Sequence, residues 1–211
     1  MSSLLPDHIP LPKEPECDPP LHSLGIDGSW SMLTKDLLPS RLHAAIDAAV
    51  AYVERLKVID SSAYVGVACY SDSVFALFEP APVLACAAPD ALRREWYRLA
   101  TERGGGRTNI GGALELAAVW SEAGHGDAQV VLLTDGHSNV GPDPVEAARS
   151  LRDVASITAV GIGESPSDID EALLKEIVSA DRNGRPRYRW IGERDALVAH
   201  YQELAGHLTR E

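Results

Sequence analysis

Five oxygen-bearing side chains are spaced so that they could do chemistry together. Asp27, Ser29 and Ser31 alternate in Asp27-Gly28-Ser29-Trp30-Ser31, Thr108 closes a glycine-rich loop, and Asp135 lies in Thr134-Asp135-Gly136. Two carboxylates and three hydroxyls need no Cys or His partner. Such a set suits a small hard cation: Mg²⁺ takes oxygen ligands at about 2.1 Å, with waters completing an octahedron, and Mn²⁺ or Ca²⁺ can substitute. The Asp-x-Ser-x-Ser alternation lets one loop turn several oxygens toward a point. Gly104 to Gly106 permit backbone angles that bring Thr108 close. The plainer reading is that Asp27, Ser29 and Ser31 cap one helix, Thr108 caps the next, and Asp135 closes a turn.

These residues must be held by elements, and the sequence alternates short apolar runs with segments of helical period. Leu24 to Ile26 reads as a brief strand before Asp27. Leu42, Ile46, Ala49, Val53 and Leu56 form one stripe on a helix over about 40 to 57. Tyr64 to Tyr70 and Val74 to Phe78, joined by Ser71-Asp72-Ser73, predict a hairpin whose second strand is antiparallel, lies at an edge and ends at Pro80 and Pro82. A short helix follows from Pro89 to residue 100. After the glycine loop, Ile110, Ala113, Leu114, Ala117 and Trp120 share a helical face. Val130 to Leu133 and Ile157 to Ile162 are apolar runs typical of strands buried on both faces. Helices are expected over about 143 to 153 and 168 to 179, a strand over Arg187 to Ile191, and a last helix with Leu197, Tyr201, Leu204 and Leu208 on one side. The expected architecture is α/β: a doubly wound, Rossmann-like three-layer domain with a six-stranded, mostly parallel sheet, one antiparallel edge strand and helices on both faces. Ligands in such folds sit at the carboxyl ends of the strands, where the strand order reverses.

Residues 1 to 20 contain six prolines and read as an extended tail, either a spacer or a docking peptide, followed by a single domain over 21 to 211. The tail carries four carboxylates and no unbroken apolar run, so no signal peptide is expected, and no 18 apolar residues follow one another. A cytoplasmic location is expected. The formal net charge of −12 disfavours nucleic acid and anionic membrane as partners. Cys17, Cys69 and Cys86 form neither a disulfide framework nor a zinc pattern, with Cys69 read as core and Cys17 as solvated.

Asp27-x-Ser29-x-Ser31, Thr108 in a Thr-Asn-Ile-Gly-Gly-Ala-Leu context, and Thr134-Asp135-Gly136 together resemble the metal-ion-dependent adhesion site of the von Willebrand factor type A family. The resemblance runs from about Leu21 to Leu208 and includes Val160-Gly161-Ile162-Gly163 and Leu174-Lys175-Glu176-Ile177. It implies that Ser29 and Ser31 bind the metal through their hydroxyls and that Thr108 does so in the ligand-competent arrangement. Asp27 and Asp135 would mainly hold coordinated waters. Neutral hydroxyls leave the cation's charge incompletely cancelled, so an open position favours an outside anionic oxygen, a partner's Asp or Glu. The implied function is non-enzymatic protein binding. Bacterial intracellular members work beside AAA+ ATPases, chelatases or stress and signalling systems.

Two features depart from the family pattern. Trp30 stands where a small residue is usual, as an aromatic anchor for a partner or as packing against the neighbouring loop or tail. The strand before Asp27 is unusually short. Arg107 could steer a carboxylate or face water, and His137 and Asn139 could line the rim or be solvated. Competing chemistry fits less well: the glycine loop lacks the Gly-Lys-Ser/Thr of a phosphate loop, and Gly28-Ser29-Trp30-Ser31 is no Gly-x-Ser-x-Gly elbow. A metal-dependent phosphohydrolase on a similar sheet, and a structural domain whose metal only stabilises loops, are the alternatives.

Overall fold

The computed structural model describes residues 18–123 and 126–208. Cys17 and most of the expected tail lie outside the described residues. The chain enters the sheet through Pro19 and Pro20, whose carbonyls accept from Gly126 N at 3.1 Å and Tyr64 N at 2.8 Å.

Among the described residues six strands form one sheet in the order β3-β2-β1-β4-β5-β6. These are β1 (Leu21–Asp27), β2 (Tyr64–Tyr70), β3 (Val74–Pro82), β4 (Ala128–Thr134), β5 (Ala155–Ile162) and β6 (Tyr188–Ile191). All pair in parallel except β3, which runs antiparallel to β2 at the edge. The helices are α1 (Arg41–Ile59), α2 (Pro89–Arg103), α3 (Ile110–Ser121), α4 (Pro144–Leu151), α5 (Glu171–Ile177) and α6 (Arg194–Leu208). The expected doubly wound α/β fold is the one observed.

Strand alternation explains the three layers, because successive side chains point to opposite faces. Val131 and Leu133 of β4 join a core with α1, α2 and α6, while Val130 and Leu132 join a second core with α3, α4 and α5. Both faces are therefore apolar, as a covered parallel sheet requires. The α1 stripe of Leu42, Ile46, Ala49, Val53 and Leu56 is buried throughout. Ser40 caps that helix by accepting from His43 N at 3.3 Å.

Three expectations about elements need correction. First, β1 is a full strand of 7 residues, every one buried. His22, Ser23 and Gly25 broke the apolar run that would have revealed it. His22 is accommodated because its Nδ1 lies 2.6 Å from the Tyr52 hydroxyl, and Gly25 is needed because a Cβ there would come within 2.7 Å of Leu132. Second, β3 runs past Pro80 and ends at Pro82. Pro80 lies within this edge strand, where proline is tolerated, and the register shifts between the partners of Val65 and Val67. Third, α5 begins only at Glu171. Pro166–Asp168 forms a separate 3₁₀ turn with a Ser165/Asp168 capping box, and Asp170 then caps α5 by accepting from Leu173 N at 3.0 Å. On α6, Leu197 and Tyr201 are buried and Leu204 packs partly buried against the same core, as expected of one side of the helix, while the Leu208 side chain is outside the described set.

The crossover through α1 carries the chain from β1 to β2 on one side, and the connection through α2 and α3 carries it from β3 back to β4 on the other side of β1. The reversal of strand order thus falls between β1 and β4, whose carboxyl ends are Asp27 and Thr134.

Candidate metal centre

β1 delivers Asp27 to its carboxyl end with the side chain fully buried. The chain then turns sharply, because Asp27 Oδ1 accepts from Ser29 N at 2.9 Å. Gly28 N donates to the Tyr70 carbonyl at 2.8 Å, continuing the β1–β2 ladder one residue further. A 3₁₀ turn over Trp30–Leu33 follows, which brings the hydroxyls of Ser29 and Ser31 to 2.9 Å from each other. Next door, β4 ends at Thr134, whose hydroxyl donates to Asp27 Oδ2 at 2.7 Å. Asp135 then meets the serines: the Ser31 hydroxyl donates to its Oδ1 at 2.8 Å.

The glycine loop is stitched to both strands. Trp30 N donates to the Gly105 carbonyl at 2.9 Å, and Ser29 and Gly105 form a parallel bridge. Gly105 leaves room for the Asp72 carboxylate, which a Cβ at this position would displace. Thr108 is buried, and its backbone exchanges bonds with Asn139: Thr108 N donates to Asn139 Oδ1 and Asn139 N to the Thr108 carbonyl, both at 3.0 Å. The Thr108 hydroxyl faces Gly136, 3.7 Å from where a Cβ would stand. Asn109 starts α3 by accepting from Gly112 N at 2.8 Å. Thr108 therefore precedes the cap, and its hydroxyl is not used as one.

Asp27, Ser29, Ser31, Thr108 and Asp135 thus come from three separated segments to one end of the β1–β4 pair. The capping explanation fails for the first loop also, because Ser29 makes no side-chain cap to the 3₁₀ turn. Of the rim residues, Trp30 is 68% exposed, with its ring against Gly106. Arg107 is exposed, with its Nε 3.9 Å from Asp72 Oδ1, and exposed His137 turns toward Asp170 at 3.6 Å. Neither reaches the five-residue set through a direct bond.

Two further residues were not anticipated. Asp72, in the hairpin turn, accepts from Gly106 N at 3.0 Å and pins the glycine loop. Arg41, the first residue of α1, donates from Nη1 to Asp135 Oδ2 at 2.8 Å while also gripping Asp36. An arginine at a helix start, where the macrodipole disfavours cations, is the signal that could have found it.

Burial governs the electrostatics. Removal from water pushes the Asp27 carboxyl up to about 7, the nearby Asp135 charge pushing the same way and the Thr134 and Ser29 hydrogen bonds opposing it. Asp135 is also raised, first by burial, with Ser31 and Arg41 pulling it back. Asp36 is held below the usual carboxylate range by Arg41. Two adjacent carboxyls that resist ionisation are a site that an added cation would relieve. Among the described residues no group of three or more His, Cys, Asp or Glu is arranged to hold a metal, so a cation here would rely on hydroxyls. The Ser29–Ser31 separation of 2.9 Å suits that role: neighbouring oxygens on an octahedron with bonds of about 2.1 Å lie about 3.0 Å apart. The donor set fits a hard divalent ion.

The profile of the von Willebrand factor type A domain matches residues 24–189. The chain belongs to the von Willebrand factor type A domain family. Members of this family are typically metal-dependent protein-interaction modules. Solved structures agree on the fold. A von Willebrand factor type A protein from Catenulispora acidiphila superposes with a TM-score of 0.70 at 20% identity, covering 90% of this chain and 43% of its own. Proximal thread matrix protein 1 from the mussel byssus, with a zinc-occupied metal-ion-dependent adhesion site, gives 0.66 at 20% identity, over 92% of this chain and 49% of its own. The pilus adhesin SpaC from Lactobacillus rhamnosus GG gives 0.71 at 14% identity, over 93% and 31%. The chain spans about half the length of these proteins or less. No curated protein is significantly similar to this type A domain, and no helix among its described residues is long and apolar enough to cross a membrane.

Proposed function

We propose that this type A domain is a non-enzymatic protein-interaction module that binds one divalent cation and through it grips an aspartate or glutamate of a partner protein. Mg²⁺ is the preferred ion, with Mn²⁺ or Ca²⁺ as substitutes. The observation that carries this reading is the run of hydrogen bonds from the Ser29 hydroxyl to the Ser31 hydroxyl and on to Asp135, beside the buried Asp27, at the reversal of strand order. Ser29, Ser31 and Thr108 would hold the ion directly, and Asp27 and Asp135 through water. An ion held mainly by neutral hydroxyls keeps enough charge to attract a carboxylate. The net charge of −12 opposes an acidic partner only over a screening length of about 8 Å, so contact attraction prevails. Trp30, exposed beside the site, supplies apolar contact area for the partner. The zinc-occupied site of the mussel protein supports a metal at this position of the fold.

Calorimetric titration with Mg²⁺ should show one site in the wild type, weakened at least about tenfold by Ser29→Ala or Thr108→Ala. The circular dichroism spectrum should not change, because Ser29 and Thr108 lie outside the helices and strands. Partner capture from lysate should require Mg²⁺ and be lost to chelator and to both variants. Capture that survives chelation would remove the adhesion reading, and a wild type that takes up no divalent ion would remove the metal.

A further inference from the structure

Arg41 is a buried cation at a place that the metal reading leaves unexplained. It opens α1, at the positive end of the helix macrodipole, in a first turn that holds no acidic residue. The side chain bends away from the helix: Nε donates to both Asp36 oxygens at 2.9 Å, Nη2 to Asp36 Oδ2 at 2.6 Å, and Nη1 to Asp135 Oδ2 at 2.8 Å. Only 11% of the Arg41 side chain and none of that of Asp135 is exposed. The other Asp135 oxygen is taken by the Ser31 hydroxyl. Asp27 is treated differently, since its oxygens meet only neutral donors, the Ser29 N–H and the Thr134 hydroxyl. The guanidinium is thus divided between one carboxylate of the candidate metal set and one outside it.

We propose that Arg41 is a positioning residue that fixes Asp135 against Ser31 and cancels part of its charge, so that the bound divalent ion is held less tightly and keeps more charge for an incoming carboxylate. The proposal rests on the metal reading above. A guanidinium keeps its charge at any working pH. Its repulsion of a divalent ion a few ångströms away is weakly screened, because water is largely excluded there. Asp36 works in the opposite direction: by drawing on the same guanidinium it returns negative charge to Asp135. Arg41 and Asp36 together set how firmly the ion is held.

The test is calorimetric titration with Mg²⁺ alone, and with Mn²⁺ as a second probe, on the full chain at about pH 8. The proteins compared are the wild type and the variants Arg41→Met, Arg41→Lys and Asp36→Asn, each first shown to melt cooperatively. Arg41→Met should bind about tenfold tighter or more, since a like charge next to the ion is gone. Arg41→Lys should stay close to the wild type, because the charge is kept although the fork is lost. Asp36→Asn should bind more weakly than the wild type. Equal or weaker binding by Arg41→Met would mean that the guanidinium serves only as scaffolding, and the proposal falls. If Arg41→Met does not fold, Asp36→Asn decides, and an affinity at or above that of the wild type overturns the proposal. A wild type that binds Mg²⁺ with an Arg41→Met that is no tighter removes this inference alone. A wild type that binds no divalent ion removes the metal reading with it.

Discussion

Two buried titratable groups at the ends of β1 pull stability in opposite directions with pH. Burial depresses the His22 imidazole from 6.5 to about 4, Asp60 opposing. The folded state prefers the neutral ring, so this contribution is complete above pH 6.5 and is lost as pH falls toward 4. Asp27 is raised from 3.8 to about 7, by burial first and by Asp135 second. Without metal its contribution is complete below pH 3.8 and is lost as pH rises toward 7. The opposing trends overlap, so variants are needed to separate them. In chelator, Asp27→Asn should exceed the wild type in stability by on the order of 4 kcal/mol at about pH 8, while His22→Phe should remove an acid loss of on the order of 3 kcal/mol. Urea midpoints measured across pH check both. Saturating Mg²⁺ should erase the advantage of Asp27→Asn, since an ionised carboxylate beside a cation is no longer costly. At this scale the five oxygen-bearing residues were legible because the alternation in Asp-x-Ser-x-Ser and the Thr-Asp-Gly turn are local. Arg41 and Asp72 were not: each acts through a partner at least about thirty positions away in the chain, and a single charged side chain carries no mark of such a pairing.

Between α1 and α6, packing outweighs charge. Asp47 of α1 accepts from Arg93 of α2 at 2.8 Å and from Arg194 of α6, which ties three helices at one carboxylate. The arginines are partly exposed, with 40% and 44% of their side chains accessible, so Asp47→Ala should cost about 1 kcal/mol or less. Leu197 is fully buried one turn along α6, within the core that holds Tyr52 and Tyr201. Leu197→Ala should cost about 2–5 kcal/mol, because a cavity replaces packed atoms. Thermal melts of the two variants rank the effects, and an Asp47→Ala loss larger than that of Leu197→Ala would reverse the ranking. Helices with an apolar stripe, such as α1 and α3, were readable from the sequence, as was the continuous run of β4. The length of β1 was hidden because His22 and Ser23 interrupt the apolar pattern, although His22 is held by the Tyr52 hydroxyl from a distant helix. The start of α5 was hidden because Ile169 has the helical spacing but is buried from an extended segment between two caps.

For the molecule as a whole, the charge of −12 surrounds a site proposed to take a cation. The long-range field concentrates divalent ions near the surface and is screened by salt. Mg²⁺ affinity should therefore fall several-fold between about 0.05 and about 0.5 M KCl, as calorimetry at the two ionic strengths can check. An affinity indifferent to salt would confine the attraction to the immediate donors. The fold class was legible from the order of elements alone, and with it the end of the sheet at which to look. The strand order was settled only by the pairing of β1 with both β2 and β4. The outer margin of that sheet has its own consequence. With Pro80 inside β3, Pro82 at its end and the register broken beside Pro80, a second chain finds no unbroken row of donors to copy, which guards the molecule against templated stacking into fibrils.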